Sequence, residues 1–197
     1  MCFMIIIRKH IVLWLMLLSI VSFYGQNLPP FTSLDSDTLT WVDKNGVNLL
    51  LLETSDIITD ANTNLRSKNL QVTHWLKKEG QLIHHWSYQD EITECPVDLE
   101  MKFLAAPQFS DLNNDSIYEI WMMIQKACKG DISPSLVEVI MVDERKAKYF
   151  LTAEEQLIFP NGTIYGGSYD LEDFTELPIH CQEYAVTYLL QHYKNKF

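Results

Sequence analysis

Residues 117–124, Ile-Tyr-Glu-Ile-Trp-Met-Met-Ile, constrain the chain more than any other stretch. A β-strand points successive side chains to opposite faces. Both faces of this run are apolar, and Glu119 is its one charge. Such a strand must be shielded on both sides, so the sequence predicts a central strand with a layer above and a layer below. Other strand-like runs are one-sided. Leu70, Val72, His74 and Leu76 share a face of 70–77, and Leu99, Met101, Phe103 and Ala105 share a face of 99–105.

Turn residues separate these runs. Lys44-Asn45-Gly46 lies between 41–43 and 47–53, and Lys78-Glu79-Gly80 between 70–77 and 81–88. Asp143–Lys146 lies between 136–142 and 148–151. Asn and Gly accept the positive φ that tight hairpins need. Residues 54–69 are polar and read as a loop or a short helix. Residues 178–194 read as a helix. Pro178 suits its first turn, and Cys181, Tyr184, Ala185, Tyr188, Leu189 and His192 recur at three and four. Lys194 and Lys196 then fall at its C-terminal end, where positive charge complements the helix dipole. The expected fold is mainly β (α+β): an antiparallel sheet or sandwich of hairpins with a C-terminal helix packed on it.

Residues 1–25 read as a secretory signal peptide. Arg8, Lys9 and His10 precede the apolar run 11–21, and Gly25 offers a small residue before the cleavage point. The apolar stretch between Lys9 and Gly25 is short of the roughly 20 residues that a membrane span needs. Residues 26–197 then form a single β-rich domain with no membrane span. Export implies an oxidising compartment. Cys2 leaves with the signal. Cys95 and Cys128, both in polar, turn-rich surroundings, form the expected disulfide, and Cys181 stays free in the helix. Lys and Arg total 15 against 26 Asp and Glu, a formal charge of −11. That balance argues against nucleic acid and against anionic lipid as partners.

Asp111-Leu-Asn113-Asn-Asp115-Ser-Ile117-Tyr-Glu119 places oxygen side chains at relative positions 1, 3, 5 and 9. A chain curling around Ca²⁺ uses that spacing, because alternate side chains point inward and a position-7 carbonyl joins them. Ser116 stands where an EF-hand has Gly, and Met122 where it has Glu. The stretch resembles the Asp-x-Asn-x-Asp-Gly-x-x-Asp/Glu loop of FG-GAP and integrin-type β-propeller repeats. That resemblance implies Ca²⁺ held by Asp111, Asn113, Asp115, the Ile117 carbonyl and Glu119. One copy does not make a propeller. The same residues without an ion make an Asx-rich turn.

Residues 111–121, followed by Cys128-Lys-Gly130-Asp131-Ile-Ser133-Pro134-Ser135, resemble a family of small exported Bacteroidetes proteins labelled surface polysaccharide biosynthesis proteins. The likeness is best over about 95–160. It implies the cell envelope, the periplasm or the cell surface of a Gram-negative bacterium, and glycans, and carries no catalytic residues.

Three weaker constellations complete the reading. His74 falls opposite His84 or His85, either as a half-exposed pair on a sheet face or as ligands to zinc or copper. Asp131, Ser133 and Ser135 serve as turn residues or as parts of a nucleophile site without the Gly-x-Ser-x-Gly elbow. Asp170, Glu172 and Asp173 read as a solvated acidic face or as glycosidase acids. No complete catalytic signature is present. The expected function is an exported, non-enzymatic envelope module, with a surface glycan or envelope protein as partner. The alternatives are a polysaccharide-modifying enzyme and a small secreted inhibitor of a cationic enzyme. An exposed Trp75 or Trp86 would favour sugar stacking.

Overall fold

The computed structural model describes residues 38–192 and 194–196. The signal-peptide expectation for 1–25 lies outside the described residues. Strands β1 (Thr38–Asp43), β2 (Gly46–Thr54), β3 (Ile58–Thr59), β4 (Arg66–Lys78) and β5 (Gln81–Cys95) make one antiparallel sheet. Its order is β1-β2-β4-β5, with β3 beside β4 beyond the end of β2. The β1–β2 and β4–β5 turns form where the Gly residues predict: Gly46 has φ 119°, and Glu79 and Gly80 have φ 52° and 84°.

The second sheet contains β6 (Leu99–Phe103), β7 (Gln108–Ser110), β8 (Glu119–Cys128), β9 (Leu136–Val142), β10 (Lys148–Glu154) and β13 (Tyr169–Asp170). Its order is β13-β10-β9-β8-β6, and β7 pairs the first half of β8. β11 (Gln156–Ile158), β12 (Ile164–Tyr165) and β14 (Lys194–Lys196) form a small third sheet. Helix α1 runs Ile179–His192.

β8 has the double cover its sequence requires. Ile120, Met122 and Ile124 face the first sheet, in a core with Trp41, Leu50, Leu70, Val72, Trp86 and Phe109. Trp121 and Met123 face the helix, in a core with Val139, Leu151, Phe174, Ala185, Tyr188 and Leu189. Each large apolar side chain so buried contributes about 1.5–3 kcal/mol. The layers are therefore sheet, sheet and helix, a β-rich α+β fold.

Of the loop or short helix expected at 54–69, the loop is observed, at 55–57 and 60–65, with β3 and the start of β4 paired across it. One expectation is corrected. The helix ends at His192, and Lys194–Lys196 is a strand parallel to β11 instead of a helix terminus. Strands β11, β12 and β13 come from a region with no period in its sequence.

Candidate functional site

The Asp111 loop joins β7 to β8 at one end of the molecule. Asp111 accepts hydrogen bonds from the amides of Asp115 (2.9 Å) and Ser116 (3.1 Å). Asn113 Oδ1 accepts from the Asp115 amide (3.0 Å), and Asp115 Oδ1 from the Ile117 amide (2.7 Å). Asn114 and Ser116 adopt φ 58° and 68°, so Ser116 takes the left-handed conformation for which such loops use Gly. Glu119 turns the other way, into the helix-side core, and is 4% exposed. Its Oε2 accepts from Ser110 Oγ (2.7 Å) and the Leu112 amide (3.0 Å), while Trp121 Nε1 donates to Ser110 Oγ (2.8 Å). Burial raises the Glu119 carboxyl above its ordinary range, against the opposing hydrogen bonds. Among the described residues, no three His, Cys, Asp or Glu side chains converge to hold a metal ion. The loop's shape is thus supported by its own hydrogen bonds, and Glu119 belongs to a buried polar network.

His74 lies opposite Trp86, and His84 opposite Trp75. A bulge between these pairs leaves His85 outside the regular register. The expected half-exposed pair is therefore corrected: His74 is 5% exposed, between the two sheets, with His85 edge-on at 5.0 Å. Trp86 is buried as well, and Trp75 is half-buried against His84.

The opposite end of β8 carries a polar opening. Cys95 and Cys128 form the expected disulfide, with Cα atoms 5.7 Å apart, and Cys181 is free and buried. The bridge ties the end of β5 to the end of β8. Beside it lies a cleft of about 370 Å³, lined by Gln125, Lys129, Asp131, Ser133, Ser135 and Glu155, with Glu100, Lys102, Ile132 and Leu157. The lining is pre-formed. Lys129 Nζ donates to Ser135 Oγ (2.8 Å) and to the Ser133 carbonyl, and lies 3.7 Å from Glu155. The Ser135 amide donates to Glu155 Oε2 (3.2 Å). Gly166, with φ 70°, presses the following arm onto this wall. A Cβ there would sit 2.3 Å from the Glu155 carbonyl and 2.8 Å from Pro134.

These contacts bear on chemistry. Ser135 is 2% exposed, and Lys129 Nζ donates to its hydroxyl. Ser133 donates twice to Asp131, through Oγ (2.6 Å) and its amide (3.0 Å), and holds that carboxyl below its ordinary range. Asp131 is therefore a turn carboxylate, the opposite of a raised general acid. Asp173 accepts from the Phe150 amide (3.1 Å) at an edge of the second sheet.

Tyr165 pairs directly with Leu157, so both side chains project from one face of the small sheet. Leu157 lines the cleft, and Tyr165 is 61% exposed. Sequence reasoning missed Gln125, Lys129, Glu155 and Tyr165 as a group. The available signals were two polar residues, Gln125 and Lys126, ending an apolar strand, and the Gly166-Gly167 pair.

Comparison with protein-family models, with curated proteins and with solved structures finds no match.

Proposed function

We propose that the protein is an exported, non-enzymatic envelope module that binds a surface glycan in the cleft beside the Cys95–Cys128 disulfide. The observation that carries this reading is the 370 Å³ cleft, in whose wall Lys129, Ser135 and Glu155 hold one another in place. Its size falls in the range of small-ligand sites, about 300–1,000 Å³. Sugars present hydroxyls to planar polar side chains and apolar faces to aromatic rings. Gln125 and Glu155 offer the first, and Tyr165 offers the second. The resemblance of residues 128–135 to exported polysaccharide-associated proteins points the same way, as does the signal-like segment 1–25.

A structural Ca²⁺ in the Asp111–Glu119 loop belongs to the same proposal. The loop's internal hydrogen bonds are the competing account of its shape, and calcium dependence of unfolding separates the two.

The test is calorimetric titration of the exported protein, residues 26–197, with oligosaccharides released from Gram-negative surface polysaccharide. Saturable binding is expected, weakened about tenfold by Tyr165→Ala and by Gln125→Ala, which corresponds to about 1.4 kcal/mol. Folded protein that binds no fraction would overturn the reading. So would binding that neither substitution affects.

A further inference from the structure

The first sheet turns one face to the second sheet. Trp41, Leu50, Leu70, Val72 and Trp86 point into the core between them. Side chains alternate along a strand, so the residues in between point the other way. Cross-strand pairing sets these outward residues in rows. Val42, Val47, Lys77 and Leu82 share the row beside the Gly46 and Gly80 turns. Leu49 and Trp75 stand in the next row, with His84 edge-on to Trp75 at 5.3 Å, and Leu51 in the third. Glu53 lies in the fourth row and Glu91 in the fifth.

The rows nearest the turns are apolar and open. Val42 is 59% exposed, Leu82 54% and Val47 41%, while Leu49, Leu51 and Trp75 are half-buried by their neighbours. Among the described residues, these side chains belong to neither hydrophobic core. Four strands about 4.8 Å apart, about nine residues long at about 3.4 Å per residue, make a face of roughly 600 Å² in plan. Two such faces bury roughly 1,200 Å² together, the lower end of the range for specific protein interfaces. Trp75 gives the patch a rigid aromatic anchor, a residue type enriched where interfaces bind most strongly.

The charges choose the occupant. The chain carries −11 overall, so its surface at large repels a second copy. This face carries both signs, and they are segregated: Lys77 at the turn end, Glu53 and Glu91 at the far end. All three are exposed, and among the described residues neither Lys77 nor Glu53 makes an ion pair. A second copy turned end for end brings each basic end over the other's acidic end. The same turn sets the row of Leu49 and Trp75 over the row of Leu51. A two-fold axis across the strands makes both contacts twice, whereas an axis along the strands would set Lys77 against Lys77.

We propose that the outer face of the first sheet is the contact between two copies of this chain, stacked end for end about a two-fold axis across the strands, with Lys77 of each facing Glu53 of the other. Nothing in it rests on the glycan reading.

The test is sedimentation equilibrium of residues 26–197 across the micromolar range, where an interface of this size is expected to dissociate. A monomer–dimer equilibrium is expected, and Val47→Glu should abolish it. Lys77→Glu or Glu53→Lys alone should weaken it about tenfold, because each sets like charges across the contact. An equimolar mixture of those two variants should dimerise like the parent, since both contacts then join a carboxylate to an ammonium. Circular dichroism checks folding, and the mixture guards against misfolding, which a second variant does not repair. A folded monomer at every concentration would overturn the proposal, whether the face is then bare or covered by residues 26–37. So would a dimer that neither charge substitution weakens, or one that both weaken and mixing does not restore.

Discussion

At the Asp111 end of β8, side-chain oxygens close on the backbone of their own loop. At the Cys128 end, Lys129, Ser135 and Glu155 tie separate strands to one another and leave a ligand-sized cleft between them. Both ends are polar and rich in turn residues, so composition does not tell them apart. Contact range does. Asp111 reaches residues four and five positions ahead. Glu155 reaches Ser135, twenty positions back. A short-range network sets the shape of one loop, whereas a long-range network can wall a pocket.

The largest expected effect tests the Asp111 end, through His74. Its folded-state basicity, about 3, lies below the ordinary value of 6.5. The unfolded chain therefore takes up a proton that the fold refuses. Stability present at neutral pH is lost as pH falls from about 6.5 towards 3, by up to about 5 kcal/mol. Denaturant unfolding across that range should show the loss, and His74→Phe should remove it.

The second test lies near the Cys128 end. Lys126 on β8 pairs with Asp90 on β5 and Glu138 on β9, each at 2.8 Å and each largely buried. Lys126→Met strands two carboxylates and should cost about 3–5 kcal/mol. Adding Asp90→Asn and Glu138→Gln should restore most of it. A single variant no less stable than the parent would mean that the sheets are held by the apolar core alone.

The third sharpens the comparison directly. Replacing Cys95 and Cys128 with Ser opens a link of sequence separation 33 and should cost roughly 3–4 kcal/mol. The loss should enhance amide exchange around Lys129 and Ser135 and leave the Asp111 loop unchanged. The smallest concerns that loop. Asp111→Ala with Asp115→Ala removes side-chain acceptors and should cost about 2 kcal/mol in the presence of a chelator. If Ca²⁺ sits there, millimolar calcium should raise the melting midpoint of the parent and not of this variant. No shift in the parent would reduce the loop to an Asx turn.

Much of the scaffold was legible because its signals are local. Asn45-Gly46 and Glu79-Gly80 mark turns by their own backbone preferences, and the double-sided run 117–124 demanded cover before any partner was known. The disulfide was legible because, on the expectation of export, three cysteines remain and have few ways to pair. The pairing of His74 with Trp86 was not, because it depends on a bulge in the β4–β5 ladder. A slip of one residue moves a side chain to the other face, and no pattern around His84 and His85 announces it. The cleft was not legible either. Gln125, Lys129, Ser135 and Glu155 come from three segments, and their meeting depends on the pairing of β8 with β9 and of β9 with β10.

The sequence by itself determined the β-rich class, the main hairpins, the helix, the Cys95–Cys128 bridge and the strand at the centre. Each follows from side-chain period, turn chemistry or redox setting, which act over a few residues or through composition. Only the tertiary structure decided that Glu119 turns inward, that His74 lies opposite Trp86, and that the open cleft lies beside the disulfide. Those outcomes depend on which faces meet across sheets, and residues far apart in the chain settle that through packing and register.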